Sequence, residues 1–167
     1  MKKALSVASL IVVGMVIFNF SSQTYEQQSL VPTLERLLPG EPLAGLLAPV
    51  EVSYWGTPIS IETKGYYYFI EFFIRKFAHL FLFGCLAVAL FRVLMLARPK
   101  RIWPVILFAF IGTGMYAVLD EYHQLLTGGR TPMAMDVLLD MTGAFIALSL
   151  YVPIYKIRKS NGKTRLR

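Results

Sequence analysis

Four apolar runs limit what this chain can become. They occupy residues 4–20, 77–96, 102–119 and about 137–155. Each is 17 to 20 residues long. At about 1.5 Å per residue, a helix of that length reaches roughly 25–30 Å, the depth of a bilayer's hydrocarbon core. In hydrocarbon a backbone must satisfy its own polar groups, so such runs become helices. Only 16% of the residues are charged, too few to coat a soluble fold. The expected fold is an all-α polytopic membrane protein with four transmembrane helices and the lipid bilayer as its solvent.

The remaining charges are sorted by side. With the N-terminus inside, the inner segments hold Lys2, Lys3, Arg92, Arg98, Lys100, Arg101, Lys156, Arg158, Lys159, Lys163, Arg165 and Arg167, which is twelve of 17 basic residues. All ten acids fall on the outer side or in the outer part of a span. By the positive-inside rule both termini are cytoplasmic. The net charge of +7 then reads as an anchor beside anionic lipid. A nucleic-acid role is not expected, because the basic tail has no aromatic residue beyond Tyr155 to stack on bases. The first run resembles a signal peptide in its basic start. However, Phe18, Asn19 and Phe20 offer no small-residue cleavage pattern, so an uncleaved span is expected. The single cysteine, Cys85, sits in an apolar run and reads as a buried thiol.

Residues 21–68 form the outer segment. Residues 30–38 suit a short helix ended by Pro39 and Gly40. Residues 50–54 and 59–62 alternate apolar and polar around a turn at 55–58, the pattern of a small β-hairpin packed on the helices. Tyr66, Tyr67 and Tyr68 fall where an outer aromatic belt belongs.

Polar residues inside or beside the spans need a reason. Lys76 and His79 share a face of span two, and Glu71 lies four residues before Arg75, close enough to pair. Snorkelling explains one of Arg75 and Lys76. Asp120, His123 and Gln124 share a face at the end of span three, with Glu121 turned about 100° away. Two acids at a helix C-terminus oppose the macrodipole, which favours a function or a cationic partner. Gly128 and Gly129 suit a C-cap, Thr131 and Pro132 a helix start, and Arg130 between them is the obvious counter-ion. Asp136 and Asp140 share a face of span four, with Asp140 deep enough to need a partner or a proton. Gly143, Ala144 and Ala147 allow close helix approach, as do Gly112 and Gly114. The three clusters meet at one level. A structural network would have Lys76 and Arg130 neutralise Asp120 and Asp136 and do nothing more. A ligand site is the stronger expectation.

At this point the chain resembles the VanZ-like family of bacterial membrane proteins. The resemblance rests on Phe20-Ser21-Ser22-Gln23 with Gln28-Ser29, on Arg75-Lys76-Phe77-Ala78-His79, and on Asp120-Glu121-Tyr122-His123-Gln124 followed by Gly129-Arg130, Asp136-Val137-Leu138-Leu139-Asp140 and Gly143. Many relatives carry an acid where this chain has Leu82, and a proline where it has Gly128. The resemblance implies one membrane domain over residues 1–167 in a bacterial cytoplasmic membrane. The family's namesake is associated with low-level resistance to teicoplanin, a lipidated glycopeptide.

Two functions follow as expectations. The first is binding of, or action on, a cell-envelope component at the outer leaflet, such as a lipid-linked precursor or a lipoglycopeptide. Lys76, His79, Asp120, Glu121, Gln124, Arg130, Asp136 and Asp140 would form that site. The second is an enzyme on a lipid or glycan headgroup, with His79 or His123 as base oriented by Asp120 or Glu121. A divalent metal on Asp136, Asp140 and Glu121 is a variant of it. The sequence holds no Gly-x-Ser-x-Gly, His-Glu-x-x-His or phosphate loop, so no cofactor is expected. Four short spans without an inverted repeat argue against a transporter monomer, and an oligomer stays open.

Overall fold

The computed structural model describes residues 2–127 and 134–164, with side chains over 3–127 and 134–160. Helix α1 covers Lys2–Ser21. The segment after it carries the short helices α2 (Val31–Leu37) and α3 (Ala44–Leu47), a two-stranded hairpin of β1 (Val52–Tyr54) and β2 (Thr57–Ile59), and one turn of helix, α4 (Ile61–Lys64). Three long helices follow: α5 (Tyr66–Leu94), α6 (Trp103–Thr127) and α7 (Ala134–Thr164). Among the described residues, four helices are therefore long and apolar enough to cross a membrane, as the runs require. Their outward faces confirm the solvent. Phe77, Phe108, Met115, Phe145 and Leu150 are each more than half exposed, an arrangement that water penalises and lipid does not.

Three helices outrun their apolar stretches. The sequence places the start of span two at Phe77, whereas α5 begins at Tyr66. At about 1.5 Å per residue, the extra eleven residues (66–76) carry it about 16 Å further. Helix α6 runs through Asp120–Gln124 to Thr127, and α7 continues to Thr164. Apolarity marks what lipid covers. The backbone ladder continues wherever partners satisfy the side chains, so a polarity change does not end the helix. The tyrosine triplet is also redistributed: Tyr66 is buried and its hydroxyl donates to the carbonyl of Pro42, Tyr67 donates to that of Leu38 at 3.0 Å, and only Tyr68 is well exposed.

The hairpin is tighter than the sequence pattern suggests. Tyr54 pairs with Thr57, which leaves Trp55 and Gly56 as a two-residue turn with φ of 52° and 74°. Two positive φ values fit the twist of a hairpin. The second strand ends at Ile59 because Ser60 starts α4. Its hydroxyl accepts the Thr63 amide at 3.2 Å, and Thr63 Oγ1 accepts the Ser60 amide at 3.1 Å, a reciprocal cap.

Helices α5 and α7 cross closely. A Cβ built on Gly143 would lie 2.0 Å from the carbonyl oxygen of Leu80. A Cβ on Gly84 would lie 3.1 Å from both the Ala147 Cβ and the Gly143 carbonyl. Small residues therefore let these backbones touch, as is usual between helices in lipid. Gly112 and Gly114 also face neighbours, the side chains of Leu90 and Met141. On the other flank, the Tyr116 hydroxyl donates to the carbonyl of Gly14 at 2.9 Å and ties α1 to α6. Two apolar clusters fill the interior. One is built on Ala87, Phe91, Ala109 and Ala144, the other on Ile17, Phe83, Leu86 and Ala117.

Candidate functional site

The glycine crossing aligns the chemistry above it. Helices α5 and α7 both run away from the hairpin end, so the turns that precede the crossing lie side by side. One step back from Leu80 is His79, and three steps back from Gly143 is Asp140. His79 Nδ1 lies 3.4 Å from Asp140 Oδ1. One turn nearer the hairpin, Lys76 Nζ donates to Asp136 Oδ1. The two contacts form a ladder on the α5–α7 seam. Asp140 is fully buried, as its depth requires.

The hairpin closes the upper rung. The Tyr54 hydroxyl donates to the same Asp136 oxygen, and its ring meets Phe72 edge-on at 5.3 Å. Lys76 Nζ lies 4.4 Å from the Tyr54 ring centre. Burial pushes the Tyr54 phenol well above its ordinary value, helped by the bond to Asp136 and by the charges of Asp140 and Glu121. Tyr54 is therefore a neutral donor at physiological pH.

A second ion pair lies outside the seam. Arg75 reaches Glu71 with Nε at 2.9 Å and with a terminal guanidinium nitrogen at 2.5 Å. Glu71 is completely buried and also accepts the Leu30 amide at 3.1 Å. Arg75 donates to Gln28 Oε1 at 3.2 Å and stacks over the Tyr25 ring at 4.3 Å. This network pins the start of the outer segment to α5. Arg75 and Lys76 each close on an acid, so pairing accounts for both charges.

The remaining candidates meet where α1, α5 and α6 converge. Gln124 Nε2 donates to Asp120 Oδ2 at 2.6 Å, and the Ser21 hydroxyl donates to the Asp120 carbonyl at 3.4 Å. Asp120, Gln124, His79 and Gln28 line a cavity of about 20 Å³ whose apolar walls include Ile17, Phe20 and Phe83. That volume holds one water-sized group. Arg75 also touches the wall of a larger groove, about 390 Å³, through Tyr25, which lines it with Thr63, Lys64, Tyr68 and Phe72.

The candidates thus divide. His79 belongs to both the seam and the corner cavity. Lys76, Asp136 and Asp140 belong to the seam, and Asp120 and Gln124 to the corner. Glu121 is buried and acts electrostatically on Tyr54. His123 stacks on Phe18 at 4.7 Å with ring planes 9° apart, which directs it toward α1. Arg130, with the expected caps at Gly128, Gly129, Thr131 and Pro132, lies outside the described residues. The structural network expected for Lys76 holds, since it neutralises Asp136. The metal variant does not: among the described residues, no three His, Cys, Asp or Glu side chains converge to hold an ion, so Asp136, Asp140 and Glu121 are not a ligand set.

Sequence reasoning did not place Tyr54, Gln28 or Glu71 in the site. The spacing of Glu71 and Arg75 announced their pair. Nothing local announces Tyr54, whose role depends on where the hairpin docks.

Comparison with known proteins agrees with this architecture. The VanZ/LLP1 family profile matches residues 6–156, nearly the whole chain. No curated protein and no solved structure matches it.

Proposed function

The chain is a multi-pass membrane protein that belongs to the VanZ/LLP1 family, and from that premise we propose that it captures the polar head of a cell-envelope amphiphile at the outer leaflet of the bacterial cytoplasmic membrane. The observation that carries this reading is the corner cavity, where Asp120, Gln124 and His79 meet apolar walls from α1 and α5. A buried carboxylate beside an amide and an imidazole suits an amine or hydroxyl. The exposed apolar faces of Phe18 and Phe20 beside it suit acyl chains. Arg130, which follows span three in the sequence, would meet an anionic group of the same head. The basic inner segments support an orientation with both termini cytoplasmic and the hairpin outside.

The ligand class is a lipid-linked envelope precursor or a lipoglycopeptide such as teicoplanin. The test is growth of a susceptible Gram-positive host in teicoplanin and in vancomycin, with the intact chain and with equally expressed Asp120→Asn. Protection from teicoplanin that is lost in Asp120→Asn is the expected result. Equal protection by both chains would remove the corner from the function. No protection by the intact chain would remove the resistance reading and direct the search to precursor lipids.

One observation favours a second reading. His79 lines the cavity while its Nδ1 faces Asp140, the arrangement of a base oriented by a carboxylate. On that reading the protein hydrolyses or transfers a headgroup. Turnover of a headgroup-labelled lipid that disappears in folded His79→Ala would establish it.

A further inference from the structure

A second hollow lies apart from the corner cavity. The groove of about 390 Å³ is walled by Tyr25, Ile59, Thr63, Lys64, Tyr68 and Phe72. It shares no lining residue with the corner. Its size falls in the range of roughly 300–1,000 Å³ that small-molecule sites occupy. Tyr25 and Tyr68 are 42% and 49% exposed, so their rings are open to whatever enters. The Arg75 guanidinium lies 4.3 Å from the Tyr25 ring centre and donates to the Tyr25 carbonyl at 3.2 Å. Phe72 packs edge-on against Tyr54 and Phe73. Two of the three rings are thus held in place before a ligand arrives, which lowers the cost of binding.

Position and charge narrow the occupant. The apolar run of span two opens at Phe77. Along the axis of α5, Phe72 stands about 7 Å outside that point and Tyr68 about 13 Å. A headgroup layer is roughly 5–8 Å deep, so the groove rises from the top of that layer into water. Acyl chains do not reach it. The turn around Ser60 takes up the Thr63 hydroxyl. Lys64 and Tyr68 remain available: among the described residues, no acid pairs with Lys64 and no group bonds the Tyr68 hydroxyl. Aromatic rings beside a cation, in water, suit a ligand with an apolar face and an anionic, hydroxylated rim. A sugar ring has that form. Its C–H groups pack on the electron-rich face of an aromatic ring while its hydroxyls stay hydrated. An acid carried on the sugar supplies the counter-charge for Lys64.

We propose that this groove binds an anionic saccharide, on the water side of the headgroup layer at the hairpin end. The sugar lies against the rings of Tyr25 and Tyr68, and its acid faces Lys64. The groove is a site of its own. It stands whether or not the corner captures an amphiphile.

The test uses the full chain in phosphatidylcholine nanodiscs and reads binding by saturation-transfer NMR. Three soluble probes separate the parts of the ligand: N-acetylmuramic acid, N-acetylglucosamine as the sugar without the acid, and lactate as the acid without the sugar. The acidic sugar should bind severalfold more tightly than the neutral one, and lactate should not compete. Tyr68→Ala should weaken both sugars severalfold. Lys64→Gln should bring the acidic sugar down to the level of the neutral one. Both side chains are exposed and unpaired, so neither change threatens the fold. Saturation transfer to neither sugar would overturn the proposal. Lactate competing as well as the acidic sugar would reduce the groove to a plain anion site and would overturn it too. Unchanged sugar binding in Tyr68→Ala would place the sugar elsewhere, with the same consequence.

Discussion

The α5–α7 seam and the corner between α1, α5 and α6 share a helix but treat polar residues in opposite ways. In the seam, backbones touch at Gly143 and Leu80, and Lys76 closes on Asp136 with Tyr54 beside it. At the crossing itself the backbones leave no space for even a methyl group. In the corner, Gly14 has only the Tyr116 hydroxyl at 3.9 Å from an added Cβ, and a cavity remains beside Asp120 and Gln124. A charge inside a bilayer is thus not by itself a ligand site. Where helices touch, pairing explains the charge. The corner differs in keeping room next to its buried carboxylate. His79 borders both regions.

The largest effect should separate the two regions through their glycines. Gly143→Ala drives a methyl group into the backbone of Leu80, and backbone cannot yield as a side-chain tip can. Overpacking of this kind should cost about 3 kcal/mol or more. Gly14→Ala meets ordinary van der Waals contact and should be neutral or stabilising by up to about 1 kcal/mol, because alanine favours the helix. Melting temperatures in detergent would check the contrast. Equal melting temperatures for the two variants would break the distinction between a tight seam and an open corner.

The next effect tests whether the seam's charges are structural. Lys76→Met leaves Asp136 with Tyr54 but without its cation. Removing one partner of a buried pair costs about 3–5 kcal/mol, and the partial exposure of this pair, 23% and 19%, should bring the loss toward the lower end. Lys76→Met with Asp136→Leu removes both charges and should recover most of the stability. A double-mutant cycle on thermal unfolding gives the coupling. If the double variant is stable but no longer captures the amphiphile, the upper rung belongs to the binding site after all.

These contrasts show which features were legible in sequence. The four spans were, because an apolar run of bilayer length has one stable form. Their ends were not: Glu71, Arg75 and Lys76 look like the edge of the membrane, yet their partners let α5 continue through them. The shared level of Lys76, His79, Asp120, Asp136 and Asp140 was legible from topology and helical spacing. Their division was not, because spacing along a helix fixes height and face but not which neighbour that face meets. The glycines supply the missing information. Gly143 was recognisable as an approach point, but its partner, the backbone at Leu80, emerges only from the crossing. Tyr54 lay in a stretch whose local pattern spoke only of a strand.

The smallest effect tests how that strand sharpens the seam. Tyr54→Phe keeps the ring against Phe72 and Lys76 but removes the hydrogen bond to Asp136. Bonds to charged groups contribute about 1.5–3 kcal/mol; the partial exposure of this one favours the low end. The loss should appear as local undocking of the hairpin rather than unfolding of the bundle. Trp55, next in sequence and at the turn, reports it. The only other tryptophan, Trp103, lies at the far end of α6, so Trp103→Phe isolates the signal. In that background Tyr54→Phe should shift Trp55 emission toward that of a free loop. The intact hairpin should add a pH dependence. The phenol's value is raised in the folded state, so docking favours the neutral form. Its contribution is complete below the ordinary tyrosine value of about 10 and is lost as pH rises toward the raised one. Trp55 emission should therefore hold steady through neutral pH and change only in strong alkali, with Tyr54→Phe insensitive throughout. An equal alkaline response in Tyr54→Phe would mean that the hairpin is held by its ring packing alone, and that the seam ends at Lys76.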